Sequence, residues 1–244
     1  MTAAALLLAD ARFPAGGHAH SGGLEPAATA GTVTDIRTLE LFLRGRLRTA
    51  GLMTAAIAAA ACARAVSDPW PEPDPWPELD AEADARIPSP AQRDASRRQG
   101  RALLRAARRA WPDWSRWPPR GTAQPGASQP GASQPGAAQP GAPHHPVVIG
   151  AATAAARGTP EDAAANAAYQ SIAGASSAAV RLLALDPMAA AAVLARLAPE
   201  ADEVAEQAAW HAHGPLADLP FPSAPALDLL AEAHVTAEVR LFES

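Results

Sequence analysis

Alanine dominates the apolar part of this chain and restricts the folds that it can form. Of the 244 residues, 66 are alanine, whereas aromatic residues make up only 5% of the sequence. Alanine is the strongest helix former and loses no side-chain entropy on folding, so alanine-rich segments favour helices. Because its side chain is small, helices rich in alanine must approach one another closely to exclude water. The composition therefore predicts an all-α protein with closely packed helices.

Capping residues and apolar spacing place these helices along the chain. Asp35 is a predicted N-cap, and leucines follow it at helical spacing as far as Gly51. Thr159-Pro160-Glu161-Asp162 combines a capping hydroxyl, a proline and two acids, which is typical of a helix start. No segment shows the alternation of a strand, so we expect one helical-bundle domain over residues 1–244. Helices are predicted over about 36–51, 52–66, 92–110 and 163–185, with others beginning at Asp186-Pro187, at Pro199-Glu200 and at about Ala226.

The middle of the chain changes character twice. Residues 68–91 are acidic and rich in proline, which predicts an irregular segment. The helix predicted over 92–110 then carries a basic ridge with an arginine at every fourth position: Arg93, Arg97, Arg101, Arg105 and Arg109. Since the negative charge of the acidic segment largely offsets the positive charge of the ridge, a nucleic-acid partner is not expected. The ridge is better explained as a solvated face or as a docking surface for an acidic partner.

Residues 121–143 contain four copies of Gln-Pro-Gly-Ala, most of them in a five-residue repeat. Proline and glycine at this density cannot bury a core, so we expect a disordered surface insertion without chemistry of its own.

Cellular location is constrained only weakly. The single Cys62 excludes an internal disulfide, and its alanine-rich surroundings predict a buried, inert thiol. No basic residue precedes the apolar run Ala3 to Ala9, and the later run Ala55 to Ala63 is far shorter than the ~20 residues of a membrane span. We expect a cytoplasmic protein that does not enter a membrane.

The loop from Asp10 to Glu25 concentrates the residues that could carry chemistry. Its glycines permit a backbone shape that other residues rarely adopt, and His18, His20, Ser21 and Glu25 lie among them. A metal-dependent hydrolase using His18, His20 and Glu25 is one hypothesis. However, the spacing matches neither His-Glu-x-x-His nor Gly-x-Ser-x-Gly, and Glu25 is placed to favour a helix dipole. A shaped docking loop is therefore the preferred interpretation.

A second histidine pair, His144-His145, is the other candidate for a metal site. Imidazole suits nickel, but two adjacent ligands rarely complete a site, and Pro146 marks a helix start. A structural role is favoured for this pair. His18, His20, His144 and His145 are accordingly weak metal candidates, and no cofactor is predicted.

Five ordered sequence blocks along the chain form a recognisable pattern. The first holds Phe13-Pro14, Gly16-Gly17-His18, His20-Ser21-Gly22-Gly23-Leu24-Glu25 and the spaced residues Gly31, Val33 and Asp35. The others are Ala95 to Arg101, His144 to Gly150, Ala178 to Leu182, and Val239 to Phe242 followed by Ser244. Together these blocks cover all but the low-complexity middle of the chain, and they resemble the UreF family of urease accessory proteins.

The resemblance implies a non-enzymatic, all-α urease maturation factor that acts in nickel insertion. It implies a homodimer that binds the accessory protein UreD (also called UreH), recruits and regulates the GTPase UreG, and serves apo-urease. A generic helical interaction module is the remaining alternative. The resemblance assigns partner contacts to the matching residues Pro14, Gly16, Gly17, His20, Ser21, Gly22, Gly23, Glu25, Gln99, Arg181, Arg240 and Phe242.

Overall fold

Helices form every regular element in the part of the chain that the structure describes. The computed structural model covers residues 3–10, 12–15, 17–119, 141–237 and 241–242, without the side chain of His18. Within these ranges there is no strand, which confirms the predicted all-α class. The α-helices are α1 Ala3–Ala9, α2 Leu24–Thr29, α3 Ile36–Arg46, α4 Leu52–Ala65, α5 Trp76–Arg86, α6 Pro90–Ala110, α7 His145–Ala155, α8 Pro160–Leu183, α9 Pro187–Trp210 and α10 Pro225–Val235.

Three shorter helical segments complete these elements. A π-helical segment, Leu47–Gly51, joins α3 directly to α4, and 3₁₀ turns form at Gly17–Ala19 and Leu216–Asp218. In the described ranges no helix is both long and apolar enough to cross a membrane.

The predicted caps hold the ends of three helices. Asp35 Oδ1 accepts a hydrogen bond of 2.8 Å from Thr38 N at the start of α3. Thr159 Oγ1 accepts one of 3.2 Å from Asp162 N, and Asp162 Oδ2 accepts one of 3.1 Å from Thr159 N. Asp186 caps α9 in the same way through Met188 N. These side chains satisfy amide groups that a helix start leaves unpaired.

Small residues allow α4 to lie at the centre of the core. It packs against α7, α8 and α9, and only Thr54 and Arg64 of its residues are not fully buried. Gly150 of α7 faces its backbone so closely that a Cβ there would meet Ala58 O and lie 2.7 Å from Cys62 N. This contact confirms that the helices approach closely. Cys62 is buried as expected, and burial raises the pKa of its thiol to about 12.

The helix boundary predicted at Pro199-Glu200 is wrong. Helix α9 continues from Pro187 to Trp210 with Pro199 inside it. The buried positions Val193, Leu197, Ala201 and Val204 run through the proline without a break, so burial of this face offsets the lost backbone hydrogen bond.

The irregular structure predicted for residues 68–91 is also only partly right. Helix α5 occupies the middle of that segment, and α6 begins at Pro90. Leu79 and Ala83 are fully buried, and Arg97 of α6 forms ion pairs with Asp80 and Asp84. These ion pairs join the acidic segment to the basic helix that follows it.

The Gln-Pro-Gly-Ala repeats lie outside the described residues, as does all of 120–140. The last residues of the predicted insertion, however, belong to the packed structure. Ala142 and Pro143 are buried, and a Cβ at Gly100 of α6 would collide with the Pro143 carbonyl. The insertion therefore ends earlier than the predicted residue 143.

Candidate functional site

A cleft of about 470 Å³ lies where the loop before α2 meets α6, α7, α8 and α10. Four of the five sequence blocks contribute to its wall, although they are far apart along the chain. His145 lines the cleft. So do six of the predicted contact residues: Gly17, His20, Gly22, Gly23, Gln99 and Arg181. The separate motifs thus have a common location, which makes the cleft the candidate functional site.

Two glycines give the loop its shape. Gly22 and Gly23 have φ of 62° and 88°, in the left-handed region that favours glycine. A Cβ at Gly22 would lie 3.0 Å from Cζ of Arg46, and one at Gly23 would lie 3.5 Å from a methyl group of Leu227. Gly22 therefore packs against the guanidinium of Arg46, and Gly23 faces α10.

Ser21 and Glu25 are buried beside the cleft and serve the loop and the C-terminal segment. Ser21 Oγ accepts a hydrogen bond of 3.2 Å from Glu25 N. The Glu25 carboxylate accepts two hydrogen bonds, 2.7 Å from Leu241 N and 2.9 Å from Phe242 N. Nε2 of His234 lies 3.1 Å from the Phe242 carbonyl oxygen. Glu25 and His234 thus hold successive backbone groups of one short segment.

Phe242 of this segment connects the C-terminal block with the fourth block. Phe242 is buried, and the guanidinium of Arg181 lies over its ring with Cζ 4.6 Å from the centroid. This geometry is a cation–π contact, which links the fourth and fifth blocks. Of the remaining predicted residues, Pro14 is exposed and lies outside the cleft wall, and Gly16 and Arg240 are outside the described residues.

His20 and His145 line the cleft as neutral imidazoles. Burial lowers the pKa of His20 to about 3, and the nearby groups His145 and Arg98 lower it further. Burial also lowers the pKa of His145 to about 4. Neutral rings can donate and accept hydrogen bonds at the same time, so this wall is suited to polar contacts.

His144 is held within the fold by hydrogen bonds to its side chain and its backbone. Its Nδ1 lies 3.0 Å from Ser96 Oγ, its Nε2 lies 2.8 Å from Asp84 Oδ1, and its backbone N donates to Asp80 Oδ1. Asp80, Asp84 and His144 are also the group whose geometry suits a metal ion among the described side chains. Because Arg97 already pairs with both carboxylates, the cluster is balanced as it stands.

Sequence reasoning did not identify several residues of the cleft. Arg46 is the most prominent, because it lies in the leucine pattern of α3 and belongs to none of the five blocks. Ser171, Gln170 and Leu227 line the cleft as well. Only the three-dimensional arrangement brings α3 and α8 beside the glycine loop, so no local signal could have identified these residues.

Comparison with known proteins gives consistent results. The sequence profile of the UreF family matches residues 33–198. The chain is similar to the urease accessory protein UreF of Mycobacterium sp. (strain JLS), with 44% identity over 241 residues, 98% of this chain and 97% of that protein. The protein of the same name from Mycolicibacterium vanbaalenii is 41% identical over 239 residues, which cover 98% and 97% of the two chains. The one from Mycobacterium bovis (strain BCG / Pasteur 1173P2) is 43% identical over 240 residues, which cover 96% and 95%.

Proposed function

This chain belongs to the UreF family of urease accessory proteins and has a role in urease maturation, and we propose that it acts as a non-catalytic docking factor for nickel insertion. In this proposal it binds UreD (UreH), recruits the GTPase UreG and regulates its hydrolysis while apo-urease receives nickel. It works in the cytoplasm, as a homodimer within the complex.

The observation that carries the docking role is the convergence of the five sequence blocks. Four of them line one cleft, and the fifth is held beside it by Glu25 and Arg181. A surface assembled from distant segments around a glycine-shaped loop is suited to recognise another folded protein.

The chemistry of GTP hydrolysis is assigned to a partner. A phosphate-binding Gly-x-x-x-x-Gly-Lys-Ser/Thr loop needs a lysine, and this sequence has none. Both oxygens of the Glu25 carboxylate accept hydrogen bonds from the backbone of Leu241 and Phe242, so this group already has a structural role. The chemistry of the site therefore favours docking over metal-dependent hydrolysis.

Deletion and complementation in the source organism test the proposal. We expect urease from a deletion strain to lack most of its nickel and activity, and the intact gene to restore both. The purified chain should also capture UreD and UreG from a mixture of the two. Urease that is fully nickel-loaded and active in the deletion strain would contradict the proposed function.

A further inference from the structure

Arg46 projects a guanidinium group into the cleft wall and is held there on two sides. Its Nε donates a hydrogen bond of 2.8 Å to the Ser171 carbonyl oxygen of α8. Its planar face packs on Gly22, whose absent Cβ would lie 3.0 Å from Cζ and Nη2 and 3.1 Å from Nε. The loop and α8 therefore fix the orientation of this group before any ligand arrives.

The two nearest arginines on the same helical rod have carboxylate partners, whereas Arg46 does not. Nε of Arg44 lies 2.8 Å and Nη2 of Arg48 lies 2.7 Å from the carboxylate of Glu200. Among the described residues, the contact with Ser171 is the single hydrogen bond of Arg46, and no carboxylate lies within 4.0 Å of it. A guanidinium carries five N–H donors, so most of its donor capacity is unused.

The surroundings of Arg46 increase its affinity for an anion. Burial lowers its pKa to about 10, so it remains charged at neutral pH. The carboxylate that lines the cleft, Asp10, lies 2.7 Å from Nη2 of Arg12 and is therefore compensated. The imidazoles of His20 and His145, which also line the cleft, are neutral.

We propose that Arg46 is the anchor of a carboxylate-binding site in the cleft, held open by Gly22 and oriented by the Ser171 carbonyl. The carboxylate is that of an acidic side chain of a partner protein. A planar guanidinium recognises this group through two parallel hydrogen bonds, and a cleft of about 470 Å³ can accommodate it. The proposal deepens the docking role described above and rests on it for the natural source of the carboxylate.

Side-chain NMR of the purified full-length chain tests the site directly. The probes are sodium acetate and two capped tripeptides, acetyl-Ala-Glu-Ala-amide and acetyl-Ala-Gln-Ala-amide. We expect acetate and the Glu peptide each to change the chemical shift of the Arg46 Nε–H signal until the site is saturated. The Gln peptide should leave this signal unchanged. Tighter binding of the Glu peptide than of acetate supports a protein segment as the source, whereas equal affinity would show that a free acid suffices and would overturn that assignment.

Two matched variants locate the effect. Arg46→Lys keeps the positive charge but loses the planar pair of donors, and it should weaken binding of the Glu peptide by about tenfold or more. Arg48→Lys makes the same change two residues away at an exposed ion pair, and it should alter the affinity by less than about twofold.

The proposal is overturned if neither acetate nor the Glu peptide shifts the Arg46 signal, or if the Gln peptide shifts it equally. If Arg46→Lys does not fold, the comparison of the two peptides on the unaltered chain decides the question. Because no urease is present, a failure here leaves the deletion-strain result untouched, and a fully active deletion strain leaves this binding measurement untouched.

Discussion

Gly22 and Gly23 show how single residues set the shape of the docking loop. Both have positive φ, and the Cα of Gly22 supports the guanidinium of Arg46. Any side chain at these positions would strain the backbone, and at Gly22 it would also displace Arg46.

Gly22→Val and Gly23→Val should therefore impair complex formation with UreD and UreG much more than they reduce helix content. Pull-down yield and circular dichroism measure the two effects. Gly45→Val is the matched control, because Gly45 lies within α3 and has open space around its Cβ position. Normal UreG recruitment by both loop variants would show that the loop shape is dispensable.

Glu25 connects the loop to the C-terminal segment. Glu25→Gln keeps the size of the side chain but replaces one acceptor oxygen with a donor that would face a backbone N–H. We expect the segment at Leu241 and Phe242 to detach at a cost of about 2 kcal/mol, since hydrogen bonds to a charged group have this magnitude. Faster hydrogen exchange of both amides would report the change, and Glu203→Gln, at an exposed position of α9, should leave it unaltered. Unchanged protection of the two amides would contradict the role of Glu25.

His20 gives the fold a defined sensitivity to acid. The pKa of its imidazole falls from the ordinary 6.5 to about 3 in the folded protein, chiefly because the ring is buried. Between these values the unfolded chain binds a proton that the folded chain does not, so stability decreases as the pH falls from 6.5.

His20→Asn removes the contribution of this imidazole to the pH dependence of stability. We expect the free energy of unfolding of the unaltered chain to decrease faster than that of the variant, by about 1.4 kcal/mol per pH unit between pH 6 and 4. Urea unfolding at several pH values provides the measurement. Parallel profiles for the two proteins would mean that His20 titrates normally in the fold.

At the scale of helices, packing distance is the controlling quantity. Helix α7 contacts α4 through Gly150, where the backbones approach too closely for a side chain. By contrast, Gly174 lies within α8 and has no neighbouring atom within 4 Å of its Cβ position.

The same substitution should consequently have opposite effects at these two positions. Gly150→Ala should destabilise the fold by about 1–3 kcal/mol, because the added methyl group overpacks the contact between α7 and α4. Gly174→Ala should stabilise it by about 0.5–1 kcal/mol through helix propensity alone. Chemical denaturation of the two variants measures both values, and a loss of stability of the same size in each would contradict this account of α7 packing.

Prediction of the helices from sequence succeeded where the signal is local. The caps at Asp35, Thr159 and Asp186 are set by residues within one turn, and each begins a helix in the structure. It failed for α5 and at Pro199, where distant partners decide the outcome. Arg97 compensates the acids of α5, and the buried face of α9 carries the helix through its proline.

For the molecule as a whole, the Gln-Pro-Gly-Ala repeats are predicted to be dispensable, whereas the residues that follow them pack against α6. Deleting residues 124–138 should leave urease activation in a complementation assay within about twofold, since changes of loop length cost little free energy. A deletion that extends through Pro143 serves as the contrast. It should lower stability, because Ala142 and Pro143 are buried against α6 and the Ala142 carbonyl bonds to Arg97. Loss of activation on the shorter deletion would assign the repeats a function.

The sequence by itself determined the all-α class, most helix starts and the family. These properties depend on residues close together in the chain or on ordered motifs that can be read along it. Only the tertiary structure decided that four of the motifs line one cleft and that Glu25 holds the segment at Leu241 and Phe242. It also showed that Arg46 lies among them with no carboxylate partner in the described part of the chain. The physical reason is that burial and charge pairing depend on contacts between residues more than 100 positions apart, as between Arg46 and Ser171 or Glu25 and Phe242.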